Sequence, residues 1–124
     1  MKTDKRTFQR YLVQDLAFAV FRPHFTKLGK VRDISRSGLS FEYVTSDGRK
    51  EDSLEMDIFI SGARFHLSNV PVKTIYDTKV GADNYTLAPF VERRRCGVEI
   101  GELTDSQRSQ LEYFIHNFGR GKVP

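Results

Sequence analysis

The sequence predicts a mainly β domain, an antiparallel barrel or sandwich with one amphipathic helix packed on it. Three observations carry this. Between residues 11 and 100 the apolar stretches are short, rich in β-branched and aromatic residues, and separated by turn-forming residues. From Thr104 the period changes, with Leu111, Phe114, Ile115 and Phe118 recurring at helical spacing. The 124 residues, 39% hydrophobic and 12% aromatic, fit one domain spanning 1–124. A chain of this size buries roughly two-thirds of the surface it would expose unfolded, enough for a core without disulfides or a metal.

The elements follow in order. From Tyr11 the residues turn apolar, and Leu16-Ala17-Phe18-Ala19-Val20-Phe21 is stopped by Arg22-Pro23, which predicts a first strand rather than a short helix. Thr26 to Ile34 mixes polar and apolar residues and reads as a second strand. Gly38 to Val44 alternates between the two, as a half-buried strand does, and Ser46-Asp47-Gly48 opens a polar loop that runs to Ser53. Leu54 to Ile60 is a further strand, broken by Ser61-Gly62. Arg64 to Leu67 reads as a short strand and Val70 to Tyr76 as a separate one, whose start Pro71 demotes to an edge or an entry. Thr78 to Phe90, with Gly81, Asp83, Asn84 and Pro89, is loop-like, and Val91 to Ile100 is the last strand. Thr104-Asp105-Ser106-Gln107 is a capping box that starts a helix over 104–118, and Gly119 supplies its stop.

Several function classes drop out. No stretch approaches the roughly 18 apolar residues of a membrane span. No hydrophobic segment follows the basic start Met1 to Arg6, so no signal peptide is visible, and the lone Cys96 gives no disulfide framework. The chain therefore reads as cytoplasmic, and the sequon Asn84-Tyr85-Thr86 as idle. His24, His66 and His116 lack the paired spacing of a zinc site, and Cys96 beside a strand glycine reads as packing. There is no nucleophile elbow. Gly119-Arg120-Gly121-Lys122 imitates a phosphate loop but follows a helix instead of preceding one. The expectation is a protein that is not an enzyme, with no catalytic residues and no metal.

The net charge is +4, with basic clusters at Lys2, Lys5, Arg6 and Arg10 and at Arg93-Arg94-Arg95. That balance suits an anionic partner without requiring one, and each cluster alone also reads as a solvated charge run. Two motifs sharpen it. In Arg6-Thr7-Phe8-Gln9-Arg10 the two arginines share a face whether the backbone is helical or extended. Two adjacent guanidinium forks repel unless an anion or an acceptor-rich edge lies between them, as phosphates and the O6/N7 edge of guanine do. In Asp33-Ile34-Ser35-Arg36-Ser37-Gly38, at a strand end, Asp33 and Ser35 can accept from a base edge that offers N–H donors. Gly38 allows a sharp turn and a close approach, and the same residues also suit an Asx- or Ser-type turn that satisfies only the local backbone.

Together the motifs resemble the signature of the PilZ family, Arg-x-x-x-Arg followed after a spacer by (Asp/Asn)-x-Ser-x-x-Gly. Arg6 and Arg10 supply the first part and Asp33, Ser35 and Gly38 the second, with residues 11–32 between. Gly97-Val98-Glu99-Ile100 is similar to the family's late Gly-Val-x-Phe, with Ile100 for Phe, and Tyr76 stands where an aromatic of the penultimate strand belongs. The resemblance implies a six- to seven-stranded antiparallel Greek-key-like β-barrel with a C-terminal amphipathic helix, and a cytoplasmic bacterial receptor for cyclic di-GMP. Arg6 and Arg10, on a flexible arm over residues 1–10, would clamp phosphates and guanine Hoogsteen edges. Asp33 and Ser35 would hold a guanine, Gly38 would shape the turn, and Lys5, Arg36 and Ser37 would add contacts. The ligand is the only small molecule implied, with no cofactor. Signalling would pass in trans to an unidentified protein partner in motility, secretion or polysaccharide control. Two other readings stand beside it: a constitutive protein-interaction module on the same fold, and a small nucleic-acid-binding barrel, which the modest charge disfavours.

Overall fold

The structure is a computed structural model that describes residues 8–13, 17–22, 27–45, 54–62, 65–80 and 92–123. Eight strands and one helix are found among them: β1 (Tyr11–Val13), β2 (Ala17–Arg22), β3 (Leu28–Ile34), β4 (Gly38–Thr45), β5 (Glu55–Ile60), β6 (His66–Lys79), β7 (Glu92–Ile100), α1 (Asp105–Phe118) and β8 (Gly119–Lys122). All pairings are antiparallel. Six strands, in the order β2-β5-β6-β7-β4-β3, close into a barrel where β3 pairs with β2 at Phe18↔Lys30, Ala19↔Gly29 and Val20↔Leu28. The remaining edge of β3 pairs with β1, and β8 pairs with β1 in turn.

Strand alternation fills the barrel. Val31, Phe41 and Cys96 form one inward row across β3, β4 and β7, and Ile34, Leu39 and Val98 form the next, all buried. Phe21 meets Phe41 edge to face with centroids 5.6 Å apart. Burial pushes the Cys96 thiol up to about 12, so it stays protonated and serves as packing. The capping box forms as its sequence predicts, Thr104 and Gln107 exchanging hydrogen bonds of 3.0 Å. Leu111 and Phe114 of α1 are buried against the core, and Phe65 covers Phe114 at 5.2 Å.

The strand reading needs three corrections. The apolar stretch from Tyr11 is two strands, β1 and β2, each pairing with a different part of β3. The segments expected as two strands around Pro71 are one, β6, which also runs on to Lys79. Pro71 is tolerated because its carbonyl accepts from Gly101, just past the end of β7, so its missing N–H faces a position where the neighbouring strand has stopped. The break at Ser68-Asn69 is a bulge: both residues stand opposite Asp57 alone, Asn69 is left-handed (φ 55°), and the buried Asp57 carboxylate accepts its N–H at 2.9 Å. Third, the tail after α1 is a strand, β8. Gly119 ends the helix in extended rather than left-handed backbone, and a Cβ there would lie 2.6 Å from the Ile115 carbonyl oxygen. The turn expected at 46–48 and most of the loop expected over 78–90 lie outside the described residues.

One charged cluster belongs to the barrel itself. Asp77 on β6 accepts from Lys27 Nζ (2.8 Å), the Tyr43 hydroxyl (2.7 Å) and Arg94 Nε (2.9 Å), and Arg94 also pairs with Glu92. Burial alone would raise the Asp77 carboxyl; the bonds from Lys27, Tyr43 and Arg94 outweigh it and hold the group below the usual carboxylate range. Burial and the same carboxylate push the Tyr43 phenol up, so it remains a donor. A carboxyl depressed in the folded state stabilises fully above its unfolded value near 3.9 and loses that contribution as pH falls toward the folded value. Replacing Asp77 with Asn removes the negative charge shared by Lys27 and Arg94, both largely buried, and is expected to cost about 3 kcal/mol in urea unfolding at pH 7. The variant should also lose less stability than the native protein between pH 5 and pH 3, by roughly the Asp77 share.

Candidate functional site

The outer face of the barrel carries a row that crosses five strands: Leu12 on β1, Asp33 on β3, Ser40 on β4, Gly97 on β7 and Tyr76 on β6. A bulge makes it. Val31 pairs with Phe41 and Asp33 with Ser40, so Arg32 is the extra residue, and Asp33 rather than Arg32 arrives beside Ser40. The Ser40 hydroxyl donates to Asp33 Oδ2 at 2.9 Å. Oδ1 is buried and has no hydrogen bond among the described residues, and Arg10 Nη1 stands 3.6 Å from it, an ion pair too long for a hydrogen bond. A buried carboxylate oxygen without a donor is an energetic cost that an incoming N–H would relieve.

The middle of the row is low and covered: Ser40 and Gly97 are both buried. Gly97 offers only backbone, and the Tyr76 ring occupies the space a side chain would need: a Cβ on Gly97 would lie 2.2 Å from Tyr76 Cε2. Ser40 and Gly97 thus form a low strip, with the Asp33–Arg10 pair at one end and an aromatic ring at the other. A planar group at the Asp33 end meets an acceptor and a cation, with the Tyr76 ring beyond.

The turn that carries the second motif is tight. The Ser35 N–H donates to the Gly38 carbonyl at 2.8 Å, the buried Ser35 hydroxyl accepts the Ser37 N–H at 3.1 Å, and the Ser37 carbonyl accepts from Ile100 at 2.7 Å. Ser35 therefore works as a turn-forming serine that fixes the chain just after Asp33. Gly38 is required by a neighbour: a Cβ there would lie 2.6 Å from the Val98 carbonyl oxygen, so β4 and β7 could not approach. Arg36 turns away from the row. Its Nε pairs with Glu112 Oε2 of α1 at 2.8 Å, its Nη2 donates to Oε1 at 3.1 Å, and its guanidinium lies 5.9 Å from the Phe8 ring centroid. Two shallow clefts, of about 220 and 280 Å³, flank this Arg36–Glu112–Phe8 junction.

The first motif is divided. Arg10 is placed, its carbonyl accepting from Val123 at 2.9 Å beside the β1–β8 pairing, while Arg6 and Lys5 lie outside the described residues. Of the predicted site residues, the structure brings Arg10 to Asp33, with Ser35, Ser37 and Gly38 building the adjacent turn. The sequence reading did not place Ser40 or Gly97 in the site. Strand alternation with the bulge would have found Ser40, but the bulge itself leaves no mark in the sequence. Nor did it place Glu42 and Arg95, one row along. Glu42 Oε2 accepts from Arg95 Nε (3.1 Å), Arg95 Nη2 (2.6 Å) and Arg32 Nη1 (3.2 Å). Burial would raise the Glu42 carboxyl, and these guanidinium groups more than reverse that, so it stays ionised.

A closed six-stranded antiparallel barrel, flanked by further strands and one C-terminal helix, with Asp33, Ser35 and Gly38 at the β3–β4 turn, is a PilZ-like fold. Two solved structures agree with it over nearly the whole chain. The PilZ domain of YcgR from Escherichia coli, solved with c-di-GMP, matches with a TM-score of 0.67 at 11% identity over 93% of this chain and 92% of that one. The crystal structure of YcgR from Escherichia coli in complex with c-di-GMP matches with a TM-score of 0.63 at 10% identity over 92% of this chain and 46% of that one. No family model and no curated protein matches the sequence itself. No helix among the described residues is long and apolar enough to cross a membrane.

The packing of Tyr76 on Gly97 is directly testable. Gly97→Ala is expected to cost about 1–3 kcal/mol through overpacking against the ring. In a Tyr76→Ala background the same change should cost close to nothing, a coupling that a double-mutant cycle of thermal or urea melts reads out.

Proposed function

We propose that this protein is a receptor for cyclic di-GMP, which it binds on the outer face of the barrel. The observation that carries the reading is the buried Oδ1 of Asp33, which has no hydrogen bond among the described residues and faces the Arg10 guanidinium at the head of the Ser40–Gly97 row. The two groups supply what a guanine nucleotide requires, an acceptor for N1–H and N2–H₂ and a cation for phosphate or the O6/N7 edge. The fold shared with the YcgR PilZ domain, itself solved with c-di-GMP, supports the same ligand.

In this reading Asp33 takes the donor edge of one guanine, and Arg10, with Arg6, grips phosphates and Hoogsteen edges. Ser35 and Gly38 act through the backbone, holding the turn that presents Asp33. Ser37 supplies a hydroxyl at that turn. Arg36 reaches a ligand only by giving up Glu112, and Lys5 adds a further cation ahead of the motif. Engagement of Arg10 by the ligand alters the surface beside α1, through Phe8, and so passes the signal in trans to a protein partner.

Titration calorimetry with cyclic di-GMP tests this. Each good charged contact is worth roughly 1.5–3 kcal/mol, so the Arg6→Ala/Arg10→Ala variant is expected to bind about a hundredfold more weakly or worse. Asp33→Ala should lose about tenfold or more while Ser40 and the β3–β4 pairing persist. Absence of heat with folded native protein would exclude the receptor reading and favour a constitutive interaction module on the same fold.

A further inference from the structure

The run Arg93-Arg94-Arg95 is divided by strand alternation. Arg94 points inward to Asp77, while Arg95 pairs across to Glu42 and lies outside. Arg95 is two residues from Gly97 on the same face of β7, and Glu42 is two residues from Ser40 on the same face of β4. The Arg95–Glu42 pair therefore stands one row along from Ser40 and Gly97, on the same outer face. The guanidinium is held from one side only: Nε and Nη2 both go to Glu42 Oε2, and Nη1 has no hydrogen bond among the described residues. Its side chain is 40% exposed, so that free end is open to solvent. The negative charge of Asp33, at one end of the row, also favours the charged form of Arg95.

We infer that Arg95, tethered by Glu42, reads the 6-oxo group of the guanine held by Asp33 and so sets the preference for guanine over adenine; this rests on the receptor reading above. The chemistry follows the order of atoms along the base. N2–H₂ and N1–H are donors and meet the Asp33 carboxylate; the next atom on that edge, O6, is an acceptor and needs a donor beside Asp33. Arg10 reaches Asp33 from the β1 side, whereas a base lying along the strip toward Tyr76 has the free Nη1 of Arg95 on its flank. Adenine reverses both positions: it has no N1–H for Asp33 and carries an amino donor where O6 would be, so it would leave Asp33 unpaired and set two donors against each other. Three guanidinium N–H groups converge on Glu42 Oε2, which fixes the carboxylate beside Arg95 and Arg32.

The test is direct binding of cyclic di-GMP and displacement of it by cyclic di-AMP, for the native protein, Arg95→Ala and Arg95→Met. The methionine variant keeps the apolar stem and guards against a packing loss. Glu42 keeps Arg32 in both variants, so thermal melts close to native are expected. Loss of a charged hydrogen bond predicts cyclic di-GMP binding weaker by about 10- to 100-fold in both variants, with cyclic di-AMP unchanged or tighter, so that the guanine/adenine ratio narrows. Unchanged cyclic di-GMP affinity in the two variants overturns the inference, and so does equal weakening of both ligands, which would make Arg95 a phosphate contact. Native binding that is lost in Arg6→Ala/Arg10→Ala but intact in Arg95→Ala overturns this inference alone. Native protein that binds neither ligand overturns the receptor reading as well.

Discussion

Three residue pairs between β2 and β3 close the sheet, and the rest of the molecule depends on that seam. Closure of only six strands leaves an interior that side chains fill, so Phe21, Phe41, Ile58 and Leu67 pack where a larger barrel would hold a ligand. Chemistry is thereby confined to the outer face and to the strand ends. The short seam has a second effect. Because β2 covers only residues 28–30 of β3, the rest of that strand's edge is open to β1, and β1 delivers Arg10 next to Asp33.

Irregularities in an otherwise regular sheet do the positioning. The bulge at Arg32 decides which side chain stands beside Ser40, and the bulge at Ser68-Asn69 turns two carbonyls toward Gln107, whose side chain donates to both at 3.0 Å and seats the start of α1. Charged residues sort themselves by the same alternation. Asp77, Lys27 and Arg94 are consumed inside the barrel, where they satisfy one another, while Glu42, Arg32 and Arg95 remain partly exposed on the outside. Adjacent arginines in one short run thus have unrelated roles, one structural and one directed at solvent.

Much of this was legible in the residues. Alternation located Gly38 to Val44, the capping box located α1 to within a residue, and the spacing of Arg6, Arg10, Asp33, Ser35 and Gly38 pointed to the fold. What escaped was whatever depends on a distant partner. Pro71 argued for a strand entry because its tolerated position depends on where β7 ends, thirty residues later in the chain. Gly119 and the residues after it have no strand pattern of their own and become β8 only by pairing with β1. Ser35 showed the opposite ambiguity: a ligand motif and a serine turn call for the same residue, and the geometry reveals the turn.

The β1–β8 pairing also imposes an order of events. Arg10 precedes every strand of the barrel, yet its carbonyl is held by the Val123 N–H, and Gln9 beside it donates across a separation of 114 residues to the Val123 carbonyl. Contacts of such long range close late in folding. A nascent chain can therefore complete the barrel core, from β2 through β7, before the backbone around Arg10 has anything to pair with on its outer side. The surface beside Asp33 thus draws on both flanks of the barrel sequence, and its outer edge is complete only once residues 119–123 have been made.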